Sequence, residues 1–147
     1  MALAVDPTES FLYVVCNDQT LRAYAIDYYS GGHIAKVASV ALAGQPVSVA
    51  AEPAGRFVYE ADSTGVSAFS VNAQSGALTP VLLTPAISLV NIAGLYVEPS
   101  GKFLYVATDA AVFGYNINAD GTLTAVSPAA LAISNHPSSI SFSVDIR

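Results

Sequence analysis

Charge is what this sequence has least of. Asp, Glu, Lys and Arg make up 11 % of its 147 residues, against about 25 % in an ordinary soluble domain. Only five are Lys or Arg, and the formal net charge is −6. A chain so poor in cations is not built to hold a nucleic-acid backbone. Tryptophan is absent and cysteine occurs once, at Cys16. No disulfide can form within the chain, and cysteine usage leaves the compartment open. Two histidines, His33 and His136, with a single cysteine make no metal-type spacing. No apolar run approaches the roughly 18 residues of a membrane span. The start, MALAVDP, has no basic segment before its apolar residues and does not read as a secretory signal. No stretch shows a helical apolar period between caps. Glycine-rich phosphate loops and a serine nucleophile elbow are missing too, so no cofactor is expected.

Apolar residues, in contrast, reach 53 %. The length suits one domain with a core of its own. So large an apolar excess predicts that part of the surface is buried against a partner.

What is present is a repeat. DPTESFLYVV, EPAGRFVYEA and EPSGKFLYVA recur with a period of 46 residues. Asp6, Glu52 and Glu98 align, each followed by proline. Phe11, Phe57 and Phe103 align, then Tyr13, Tyr59 and Tyr105, then Tyr24, Phe69 and Tyr115. A glycine closes each copy's second half: Gly32, Gly76 and Gly121. A period of about 40–50 residues rich in aromatic and β-branched positions is the mark of propeller blades. Each copy reads as four strands. The first is followed by a turn in which proline presets φ and glycine tolerates positive φ. The third alternates as a half-buried strand does. The expected fold is therefore all-β, with blades of four antiparallel strands spanning 1–45, 46–91 and 92–136 of a single domain. The stretch 137–147, PSSISFSVDIR, matches PVSVAAEPAGR and predicts one extra strand at Ser138 to Val144. Both ends fall inside the repeat, which predicts a piece of a longer propeller.

Three blades leave two open faces, where a closed propeller has about four to eight blades. The expected partner is a second copy, giving a six-blade ring by the commonest oligomer symmetry. The extra strand is the segment best suited to exchange between copies.

The blade pattern, with its FLYVA strands and the Tyr/Phe and Gly positions that follow, resembles the lactonase-type β-propeller family. That family holds the bacterial 6-phosphogluconolactonases and the carboxymuconate-cyclising enzymes. The chain is similar as well to the YVTN repeats of surface-layer proteins. The resemblance covers nearly the whole chain and implies a propeller. Active members carry seven blades. Members often have a Pro-His-Pro-His-Ser string before a first strand. Here Asn135-His136-Pro137-Ser138-Ser139 stands in its place, matching one histidine and the proline after it, with Ser138 where the second histidine would be.

In a propeller, ligands gather where the loops of one face meet the axis. The links from strand four to the next strand one share a face with the turns between strands two and three. That puts Asn17, Asp18, Gln45, Asp62, Asn91, Asp109, Asn135 and His136 together. Asn and Asp also form turns by bonding their own backbone, which is the competing explanation. His136 is the candidate general base, because imidazole titrates near neutrality. His33 falls in a hairpin on the opposite face. Glu60 replaces the valines Val14 and Val106 of the other copies and points away from Tyr59. Two readings stand for it: a residue that lines a groove or channel or pairs with Arg22 or Arg56, or a strand end at the wet rim. The recurring tyrosines suit core packing better than sugar stacking.

Three functions follow as expectations. The first is a self-associating scaffold or binding module without a catalytic site. The second, implied by the family resemblance, is a lactone hydrolase or cyclase active only when assembled. His136 would be its base, and Glu60 with Arg22 or Arg56 would orient a small acidic sugar or lactone. The third is a surface-layer or adhesion module.

Overall fold

A computed structural model describes residues 1–133 of the chain. Twelve strands lie in them, in three sheets. The first sheet holds β1 (Ala2–Val5), β2 (Phe11–Cys16), β3 (Thr20–Asp27) and β4 (His33–Ala41). The second holds β5 (Pro46–Ala51), β6 (Phe57–Asp62), β7 (Gly65–Val71) and β8 (Leu78–Val81). The third holds β9 (Ile92–Val97), β10 (Phe103–Thr108), β11 (Ala111–Ile117) and β12 (Leu123–Ala132). Every sheet is an antiparallel meander in chain order. This is the expected blade. The first strands run side by side along one axis, with Leu95 N on β9 donating to Ser48 Oγ on β5 at 3.2 Å. The expected extra strand, Ser138 to Val144, lies outside the described residues.

Side-chain alternation decides which blade meets which. On β2, Phe11, Tyr13 and Val15 are buried, while Leu12, Val14 and Cys16 between them are half-buried. On β6 all six residues are buried. The first blade is covered on one face and the second on both. Phe11, Tyr13, Val15 and Leu21 pack on Val49, Val58 and Phe69 of the second blade. On its other face, Phe57, Tyr59 and Ala61 pack on Leu95, Val97, Leu104 and Val106 of the third. Each such side chain stabilises the fold by about 1.5–3 kcal/mol on burial. The direction is constant: the Phe/Tyr face of one blade meets the Leu/Val face of the next.

Two further contacts recur at each junction and explain the repeat. A Cβ on Gly55 would lie 3.1 Å from Asp6 Oδ1, and one on Gly101 3.0 Å from Glu52 Oε1. The acid of one turn thus packs against the turn glycine of the next blade. Phe11 lies against Gly76 and Phe57 against Gly121, where a Cβ would approach the rings to 2.6 and 2.5 Å. Tyr59 OH donates to Gly121 O at 3.0 Å across the second junction. Core packing accounts for the recurrence of Tyr13 and Tyr59, both fully buried.

One strand is shorter than its sequence suggests. LTPVLLT reads as a strand throughout, yet β8 ends at Val81. Pro80 offers no N–H to the ladder and Pro85 follows soon after. The chain instead turns back, and Ile87 bridges Val66 on β7.

Candidate functional site

The turns between strands two and three do share an end of the sheets with the links between blades. The two links between blades follow one pattern, and the start of the chain makes a related contact. The Met1 amino group donates to Asn17 Oδ1 at 3.3 Å. Gln45 N donates to Ser63 Oγ at 3.0 Å, and Ser63 N to Gln45 O. Asn91 Nδ2 donates to Asp109 Oδ2 at 2.9 Å, and Asp109 N to Asn91 O. Asn17, Gln45, Asn91 and Asp109 are thereby brought to one end. Asp62 joins them but is buried, with its oxygens already taken. It accepts from the Gly44, Thr64 and Gly65 amides and from the Thr64 hydroxyl. Thr108, its counterpart, caps the third blade's turn in the same way through the Ala110 and Ala111 amides. The turn-forming explanation is the one realised at Asp62. Asn135 and His136 lie outside the described residues.

The two arginines do not converge. Arg22 pairs with Asp18 within its own hairpin, and Arg22 Nε also meets Thr20 Oγ1 at 3.2 Å. The Thr20 hydroxyl first, then the Arg22 charge, hold the Asp18 carboxyl below its usual range. Arg56 lies at the other end of β6, some 20 Å from Asp62 at about 3.3 Å per residue. It bonds Glu52 at 3.0 Å and stacks over the Phe57 ring at 5.3 Å. Among the described residues, both guanidiniums are thus neutralised by carboxylates of their own turns.

Glu60 corrects both of its expected environments. It is neither at a wet rim nor paired with Arg22 or Arg56. Its side chain is 0 % exposed, and neither carboxyl oxygen has a hydrogen-bond partner. The register places it between Val49 on β5 and Ser67 on β7, on the face covered by the first blade. Burial first, and the Asp62 charge second, push its pKa up to about 8. The carboxyl therefore holds a proton at neutral pH. The sequence shows that Glu60 is out of place among valines. It does not show that the neighbouring blade seals it in.

A cleft of about 540 Å³ opens beside it, unmarked by any sequence motif. Leu42 from the end of the first blade, Phe69 and Ser67 from β7, and Leu83 and Ile87 from the β8–β9 connection line it. Its volume suits a small molecule. Its walls are mainly apolar, with hydroxyls from Thr64, Ser67 and Ser88. None of the residues singled out from the sequence lines it. Among the described residues no group of His, Cys, Asp and Glu could hold a metal ion, and no helix is long and apolar enough to cross a membrane.

Four-stranded blades stacked face to face around inner first strands define a β-propeller segment. Comparison with solved structures shows the same propeller fold. A candidate 6-phosphogluconolactonase from Bacteroides uniformis superposes with a TM-score of 0.81 at 19 % identity, over 93 % of this chain and 41 % of that one. A second, from Bacteroides fragilis, gives 0.79 at 21 % identity, over 91 % and 39 %. The periplasmic gluconolactonase of Pseudomonas aeruginosa gives 0.73 at 20 % identity, over 91 % and 44 %. This chain spans about two fifths of their length. No family model matches the sequence, and no curated protein does.

Proposed function

We propose that this chain is a lactonase-like propeller scaffold that binds rather than catalyses, and that a second copy covers its open blade faces. The observation that carries this reading is the pair of unlike open faces. The first blade leaves Leu3 and Val5 exposed at 61 % and 51 % on β1, beside half-buried Leu12 and Val14. The third leaves Phe103 and Tyr105 half-buried, where Phe57 and Tyr59 are covered. One is a Leu/Val face and the other a Phe/Tyr face, the two halves of every internal junction. Two copies joined head to tail at both faces make a closed six-blade ring. The polar turns around Asn17, Gln45, Asn91 and Asp109 would then offer hydrogen bonds to a sugar or its lactone. An acidic ligand would have to draw Arg22 away from Asp18. Sedimentation equilibrium tests the assembly: twice the monomer mass of 15.1 kDa is expected, and a monomer at all concentrations overturns the reading.

A second reading, a lactone hydrolase, is suggested by Glu60, which holds a proton at neutral pH as a general acid must but, being fully buried, would reach a substrate only if the first blade moved aside. The names of the similar structures point the same way. Hydrolysis of a panel of sugar lactones tests it. If catalysis is present, Glu60→Gln and His136→Ala each lower the rate about a hundredfold or more. Equal rates in variants and parent remove both residues from the reaction.

A further inference from the structure

We infer that the junction between two copies departs from the internal junctions at the turn position Glu9, which sets two carboxylates against each other and makes assembly depend on their charge. The inference rests on the head-to-tail pairing just proposed. At each internal junction the acid of one turn meets a glycine of the next: Asp6 meets Gly55, and Glu52 meets Gly101. Both glycines are left-handed, with φ of 69° and 71°. The same turn in the first blade keeps that backbone but not the residue. Glu9 stands there with φ of 59°, a conformation uncommon for any residue but glycine. The acid that would meet it from a second copy is Glu98.

The other half of the junction is preserved. Gly32 is the counterpart of Gly76 and Gly121, which receive Phe11 and Phe57. Its φ is 79°, and nothing lies within 4 Å of where its Cβ would be. Among the described residues no side chain occupies this position, and by the repeat it is Phe103 of a second copy that would lie there. Assembly is therefore favoured at the Phe103–Gly32 end and opposed at the Glu98–Glu9 end. Like charges directly opposed are destabilising and reduce association.

The charged and titratable groups around this seam are few. Tyr28 OH donates to Glu9 Oε2 at 3.0 Å. Asp6, Asp27 and His33 belong to the same blade end, and Arg22 and Lys36 to its open face. On the other side, Lys102 N donates to Glu98 Oε1 at 3.0 Å, and the Ser100 hydroxyl and amide donate to the same carboxylate. Burial raises the Glu98 pKa, but these donors outweigh it and hold it below its usual value, so Glu98 stays ionised well into mild acid.

Sedimentation equilibrium of the full chain, with Glu9→Gly, Glu9→Gln and Gly32→Ala, tests this at pH 7.5 in low and in high salt. Glu9→Gln keeps the backbone demand and removes only the charge, and circular dichroism shows whether each variant is folded. The expected result is a dissociation constant for Glu9→Gly and Glu9→Gln lower by roughly tenfold at pH 7.5. Parent association should tighten as salt rises, and Glu9→Gln should flatten that dependence. Gly32→Ala should weaken association. A parent that dimerises weakly while Glu9→Gly and Glu9→Gln dimerise tightly supports the inference most directly. Association untouched by either Glu9 variant overturns it and leaves the pairing standing. A salt dependence that survives in Glu9→Gln assigns the effect to other charges of the seam and overturns it as well. No association in any variant overturns the pairing itself.

Discussion

Glu60 shows how one side chain can oppose its own fold. Blades one and three carry valine at this position, and the face is apolar apart from Ser67 and Asp62. A buried carboxyl with no partner is tolerated by staying protonated. Its native pKa of about 8 lies above the ordinary 4.5. The folded state therefore binds a proton that the unfolded chain gives up, and stability falls as pH rises from about 4.5 to 8. Above 8 the loss is complete. Glu60→Val is expected to stabilise the protein by roughly 2–4 kcal/mol at pH 8 and by much less at pH 4. Urea denaturation at the two pH values checks this, and an equal gain at both would mean the cause is packing rather than ionisation. The sequence marked the residue through its place in the repeat. Its burial depends on the first blade, which no local pattern reports.

At the scale of the element, the hairpin glycines separate two demands that the repeat superimposes. Gly121 and Gly32 share a left-handed backbone, with φ of 84° and 79°. Only Gly121 has a ring against it. Gly32→Ala should therefore cost about 1 kcal/mol from backbone strain alone. Gly121→Ala should cost about 3 kcal/mol, because the Phe57 ring must move as well. Chemical denaturation at a concentration where the chain is monomeric measures the difference, and equal losses would remove the Phe57 contact from the account. Strand positions were legible here because alternation and turn residues recur in every copy. The end of β8 was not. The apolar run beyond Val81 reads as strand, but Pro80 weakens the ladder and the bridge from Ile87 to Val66 takes the chain elsewhere.

For the whole molecule, exposure of one blade face at each end is the governing fact. A repeat array is stabilised by what each unit shares with its neighbours, so terminal units are the weak ones. Among the described residues the first and third blades each pack on one such neighbour, and the second on two. If a second copy supplies the missing contacts, the midpoint of thermal unfolding rises with protein concentration, as it must when association is linked to folding. A midpoint independent of concentration over a hundredfold range would agree instead with a chain that stands alone. The direction of stacking, Phe/Tyr face onto Leu/Val face, makes head-to-tail pairing the arrangement that reproduces the internal junctions.

The amino-acid sequence determined the number of blades in the described residues, their four-strand pattern and the tyrosines that fill their interfaces. Those features rest on local periodicity, and periodicity is written along the chain. Tertiary structure alone decided that Asp62 serves its own turn, that Arg22 and Arg56 are held by neighbouring acids, that Glu60 is sealed without a partner, and that a cleft opens under the β8–β9 connection. Alternation states which face of a strand a residue occupies. Whether that face meets water, a carboxylate or another sheet depends on residues some 46 positions away, and only the packing of one blade on the next brings them together.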